Sequence, residues 1–162
     1  MVRNKAEDAG GLSTTKDNNA VFTPEPVSFR PPIALELEVL AGDFFICQLE
    51  DLSQVDFSSE FCFAAKTDEE ISLVCPADRV PAGATACDAG WRAFRVAGTL
   101  DFSLIGILAK LTQTLADSGV GLFAVSTYNT DYILVRQERL ADAVEALRRA
   151  GYPVSEQGSA SN

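Results

Sequence analysis

Three features of the chain predict an α+β fold. Short runs such as IALELEVL (33–40) alternate apolar and polar residues with the period of a strand. Two longer segments, 102–119 and 136–152, repeat their apolar residues with the period of a helix. In the second half of the chain the two kinds of segment are interspersed. The 162 residues suit one ordinary domain, or two small modules sharing a core, and a hydrophobic content of 47% suffices to bury it.

Taken in order, residues 1–32 mix Gly, Ser, Thr, Asn, Lys and Asp and end in a proline cluster, Pro24, Pro26, Pro31 and Pro32. Such a composition buries too little apolar surface to offset chain entropy, and it predicts a disordered tail. Residues 155–162, within the closing SEQGSASN, read the same way. Leu35, Leu37 and Val39 alternate with Glu36 and Glu38, a strand with one wet face. Gly42-Asp43 turns the chain into FFICQL, a more buried strand. EFCFAAK and EISLVCP follow as short strands around Thr67-Asp68-Glu69, and PADRVPAGATACDAG reads as a loop. WRAFRVAG sets Arg92, Phe94 and Val96 on one face of a strand, with Trp91, Ala93 and Arg95 on the other.

In FSLIGILAKLTQTLADSG, Leu104, Leu108, Leu111 and Leu115 form one helical stripe. Asp101 or Ser103 is placed to cap its start, and Gly119 to stop it. In RQERLADAVEALRRAGY the stripe is Leu140, Val144 and Leu147, with a Glu145–Arg149 pair outside and Gly151 at the end. LFAVST and YILVR between them are strands joined at Tyr128-Asn129-Thr130, where Asn tolerates positive φ. From Trp91 the order is strand, helix, strand, strand, helix, which is the ferredoxin-like βαββαβ motif short of one strand. YPV is short for that strand, and LELEV from the other half is available to fill the position. The first half, 33–90, reads as a degenerate, strand-rich copy of 91–154. Turns near Ser53-Gln54-Val55 and Asp78-Arg79-Val80 stand where its helices would be.

Composition removes several classes of function. With 13 basic and 23 acidic residues the formal charge is −10, which repels nucleic-acid backbones and anionic lipid. The absence of His excludes Ser-His-Asp and Cys-His catalysis and His-containing zinc sites. Cys47, Cys62, Cys75 and Cys87 show no C-x-x-C spacing, so neither a metal nor another cofactor is expected. The start of the chain has no apolar run resembling an export signal, and no stretch reaches about 18 apolar residues. The expectation is a cytoplasmic protein with reduced thiols, no membrane span and no enzymatic activity.

Two loops remain as candidates for function. The strand ending at Ala97 runs through Gly98-Thr99-Leu100-Asp101 into a helix, whose first N–H groups carry the positive end of its dipole. Such a start can hold a carboxylate, unless Asp101 already occupies it as a cap. The second loop crowds Ser126, Thr127, Tyr128 and Thr130 beside Asp131. An acid among hydroxyls, next to an open helix start, suits a zwitterion: carboxylate at the N–H groups, ammonium or guanidinium at Asp131. Read from the residues alone, the favoured role of Asp131 is to close an Asx turn.

The stretch GWRAFRVAGTLDFSLIGILAKLTQTLADSGVGLFAVSTYNTDYILVRQERLADAVEALRRAGY resembles the ACT domains of the small tandem ACT-domain protein family, bacterial proteins related to an animal cytosolic arginine sensor. LDFSLIGIL and STYNTDYILV are its most specific parts, and FCFAAKTDEEISLVCPADRVPAG resembles the first half of those proteins. The resemblance implies tandem βαββαβ modules, side-by-side pairing as a homodimer, and a non-catalytic regulatory role in binding a free amino acid. A separate protein partner would receive the signal. It implies ligand contacts at Ser126, Thr127, Tyr128, Thr130 and Asp131, and at the helix entry through Ser103, Leu104, Ile105 and Gly106. The rival expectation is a protein–protein interaction module with a vestigial pocket.

Overall fold

In the computed structural model, residues 35–98 and 106–157 are described. They form β1 (Leu37–Val39), β2 (Phe44–Leu49), β3 (Phe63–Lys66), β4 (Ile71–Pro76), β5 (Ala86–Val96), α1 (Ile107–Asp117), β6 (Leu122–Ser126), β7 (Asp131–Arg136), α2 (Leu140–Arg149) and β8 (Val154–Glu156).

The organising element is β5. Along one edge it pairs antiparallel with β1 and β2 in succession: Val96 opposes Leu37, Phe94 opposes Val39, Trp91 opposes Phe44 and Ala86 opposes Gln48. On its other edge residues 91–95 pair with β7, which pairs in turn with β6. β4 lies outside β2, and β3 outside β4. In the first half the spatial order is therefore β5-β2-β4-β3, and in the second β1-β5-β7-β6. Both are the fourth-first-third-second order of a ferredoxin-like sheet, each half lending its neighbour one strand. LELEV does fill the open position, as β1. The YPV segment leads into β8, which runs parallel to β1 at the outer edge.

The first half keeps the strands and lacks the helices. Turns over 50–62, including Ser53-Gln54, and a single 3-10 turn at Ala77–Arg79 stand in their place. They cover a core of Cys47, Leu49, Ile71, Leu73 and Cys75. In the second half α1 and α2 lie on one face of the sheet, over Leu37, Val39, Phe94, Val96, Ile133 and Val135. Leu111, Leu115 and Leu147 are fully buried there, each worth about 1.5–3 kcal/mol in removal from water.

A third core joins the halves. Phe44, Ile46, Val74, Phe61 and Phe63 pack against Trp91, Ala93, Leu134, Val125 and Tyr132, and the rings of Phe63 and Tyr132 lie 4.7 Å apart. The sheet thus curls until its two outer faces meet. Register allows this: between the pairs Phe44–Trp91 and Ile46–Asp88 the β5 strand carries one extra residue, with Gly90 at φ +79°. A bulge of this kind raises the local twist, and the positive φ is readily adopted by glycine.

Three expectations need correction. β5 starts at Ala86, inside the segment read as a loop, because Ala-Cys-Asp-Ala-Gly has no apolar periodicity while β2 supplies its hydrogen-bond partners. α1 starts at Ile107: Gly106, in the left-handed conformation at φ +83°, precedes the helix, and the proposed caps Asp101 and Ser103 lie outside the described residues. Ser155 and Glu156, placed in the C-terminal tail, belong to β8, since pairing with Glu38 and Val39 gives their backbone partners. The tails expected over 1–32 and from 158 onward lie outside the described residues.

Candidate functional site

The hairpin of β6 and β7 is built by alternation. Ile133 and Val135 face the helices, so Asp131, two residues earlier on β7, shares that face. Ser126, last in β6, is its register partner and donates a hydrogen bond from Oγ to Asp131 Oδ1 at 2.6 Å. Asp131 is half-buried and Ser126 exposed.

The turn between them, 127–130, closes on itself. Thr127 N–H and Oγ1–H both donate to the carbonyl of Thr130, at 2.9 and 2.8 Å. Thr130 is 7% exposed, and its hydroxyl donates to the Val96 carbonyl at 2.7 Å. That bond ties the hairpin to the exit of β5. Tyr128, 81% exposed, stands at the tip.

Strand directions place the helix start nearby. β6 runs parallel to β5, both being antiparallel to β7. The chain leaves β5 at Val96, beside the hairpin turn, and α1 returns in the opposite direction, so α1 begins at the hairpin's end of the sheet. Gly106 at its N-cap has no side chain, and the first intrahelical bond recorded is Lys110 N–H to the Gly106 carbonyl at 3.0 Å. The N–H groups of the first turn therefore point outward from the helix end, and among the described residues no side chain caps them. Among the sequence-derived candidates, Ser126, Thr127, Tyr128, Thr130, Asp131 and Gly106 come to one end of the sheet. Ser103, Leu104 and Ile105 lie outside the described residues.

Within this group the roles differ. Thr130 and Thr127 use their hydroxyls to hold the turn, whereas Asp131 offers a partly exposed carboxylate on the helix face. A separate groove of about 630 Å³ lies between α2 and the β1–β8 edge, lined by Val39, Leu140, Val144, Arg148 and Glu156, and contains none of these residues.

One polar cluster had no sequence signal. Arg136 on β7 makes a bidentate pair with Asp88 on β5, Nη1 to Oδ1 at 2.8 Å and Nη2 to Oδ2 at 2.7 Å. Its guanidinium lies 4.2 Å from the centre of the Trp91 ring. Hydrogen bonds from Arg136 hold the Asp88 carboxyl below its ordinary 3.8. The residues are far apart in sequence, and only the β5–β7 register brings them together. Among the described residues no group of three or more His, Cys, Asp or Glu side chains is arranged to hold a metal ion. No described helix is long and apolar enough to cross a membrane.

The family model described as ACT domain matches residues 86–149, from the start of β5 to the end of α2. The human protein named "Cytosolic arginine sensor for mTORC1 subunit 1" is 33% identical over 60 residues, 36% of this chain and 18% of its own length. The bovine protein of the same name matches equally. The curated relatives are thus matched over less than a fifth of their length. A crystal structure of an Agobacterium tumefaciens protein superposes with a TM-score of 0.69 at 29% identity, covering 80% of this chain and 98% of that one. A Vibrio cholerae protein of unknown function gives 0.56 at 22%, covering 72% and 89%. Aspartate kinase from Clostridium acetobutylicum shares the fold over 68% of this chain and 33% of its own, at 14% identity and a TM-score of 0.55.

Proposed function

Taking residues 86–149 as the ACT domain they match, we propose that the protein binds a free amino acid and passes that state to another protein, without catalysis of its own. The observation that carries this reading is Asp131. It sits half-buried on the helix face, at the same end of the sheet as the start of α1, which no side chain caps among the described residues. Ser126 engages Oδ1 and fixes the carboxylate's orientation, and Oδ2 is assigned to a ligand ammonium or guanidinium. The helix start receives the carboxylate of the same ligand. Tyr128 closes the mouth, while Thr127 and Thr130 keep the turn in shape. Ser103, Leu104 and Ile105 complete the entry to α1 in this proposal.

The division of labour follows the sheet. The second module, 91–154, carries the ligand, and the strand-rich module 33–90 braces it through β2 and the shared β5. The cytosolic arginine sensor's name supports a cationic amino acid as ligand. Thermal-shift screening of the purified protein against the common amino acids at millimolar concentration tests the proposal. A ligand at a hundred times its dissociation constant adds about 2.7 kcal/mol of stability. The shift should disappear in Asp131→Ala; no shift with any amino acid would overturn the sensing role.

One observation favours the alternative of a pure interaction module. β6 is an outer strand of the sheet, and Phe123 on it is 37% exposed beside Trp91. An edge of this kind can pair with a second copy of the chain, the homodimer expected from the family. Association that ignores both amino acids and Asp131→Ala would decide for that reading.

A further inference from the structure

All four cysteines fall on neighbouring segments of the first half of the sheet. Cys87 on β5 directly opposes Cys47 on β2. Cys75 on β4 opposes Phe45, next but one to Cys47, and Cys62 immediately precedes β3, whose Phe63 opposes Val74. After burial, the neighbouring thiols of Cys87 and Cys75 are what raise the Cys47 pKa. Residues directly opposed on antiparallel strands have Cα atoms about 4.5–5.5 Å apart, inside the span a disulfide bridges, whereas diagonal neighbours at about 7–8 Å lie outside it. The four also range from solvent to core: Cys87 is exposed, Cys62 half-buried, and Cys47 and Cys75 buried.

We propose that Cys87 and Cys47 form an oxidation site, in which a hydroperoxide reacts at Cys87 and Cys47 then closes a disulfide between β5 and β2. The Cys87 thiolate attacks a peroxide oxygen; the O–O bond breaks, the departing oxygen leaves as water (or alcohol), and Cys87 becomes a sulfenic acid. The Cys47 sulfur attacks the Cys87 sulfur, the S–O bond breaks, and the second oxygen leaves as water carrying the Cys47 proton. Two electrons pass from the thiol pair to one peroxide. Burial pushes the Cys47 thiol up, and pushes Cys75 up to about 11, so these two stay protonated while the exposed thiol reacts first. Cys75, diagonal to Cys47, is left as a thiol.

The test is to treat the reduced full-length chain with a modest excess of hydrogen peroxide, followed by intact mass and peptide mapping without reductant. The expected product has lost the mass of two hydrogen atoms, retains two of its four free thiols, and yields a peptide linking Cys47 to Cys87. Cys87→Ser, an exposed and structurally mild change, should abolish the linked peptide, and Cys62→Ser should leave it intact. A Cys62–Cys75 bridge, a Cys87–Cys87 link between two chains, terminal oxidation of Cys87 with Cys47 still free, or no reaction at all would overturn the proposal.

Discussion

Thr130 and Asp131 are adjacent in sequence and do opposite work. The Thr130 hydroxyl points inward to the Val96 carbonyl, while Asp131 begins β7 on the helix face. Replacing Thr130 with Val keeps the volume and removes one buried hydrogen bond, so the variant should lose about 1 kcal/mol of stability. Urea unfolding of Thr130→Val checks this, with Thr130→Ser expected close to the original protein. A wild-type midpoint in the Val variant would mean that the turn is held by its internal Thr127 bonds alone. The site was only partly legible from sequence for the same reason. A cluster of hydroxyls beside an acid announces a polar turn. Which hydroxyl turns inward is set by a partner 34 positions away. Asp131 was legible as the acid at the sheet's mouth; its bond from Ser126 follows only from the hairpin register.

Helices α1 and α2 and strand β1 were legible from the period of their apolar residues, and β2, β3, β4, β6 and β7 as short, largely apolar runs bounded by turns. β5 was legible only from Trp91 onward, since the small residues of ACDAG bury little and carry no pattern. Yet that early stretch holds Asp88, whose pair with Arg136 links β5 to β7 on the face that carries Trp91. The Asp88 carboxyl is held below its ordinary 3.8 in the folded chain, first by the Arg136 hydrogen bonds. A depressed folded value adds stability above the unfolded value and loses it as pH falls through the folded one. Asp88→Asn should therefore melt below the original protein at pH 7, and the gap should close on acidification below about pH 4. Both side chains are solvent-accessible, so the gap should also narrow with added salt. Melting temperature against pH for the two proteins, at low and high salt, checks both statements. A gap constant with pH would assign the loss to packing on Trp91 instead.

For the whole molecule the strand exchange matters most. A chain of two modules divided at residue 90 would bury Leu37 with its sequence neighbours in β2 and β4. The β1–β5 pairing puts it instead in the core beneath α1 and α2, fully buried beside Phe94, Leu111, Leu115 and Leu147. The residues that form this core span 35 to 152, so the second half cannot complete its core without the start of the first. Leu37→Ala removes buried methyl groups and leaves a cavity there, a loss of about 2–5 kcal/mol. Leu73→Ala makes a comparable hole under the loops of the first half. Hydrogen exchange separates the two effects. In Leu37→Ala the amides of α1 and α2, some 70 or more positions away, should lose protection before those of β3 and β4. Leu73→Ala should reverse that order. If Leu37→Ala loosened β3 and β4 first, the halves would be coupled through their sequence order, and the exchanged strand would not govern how they unfold.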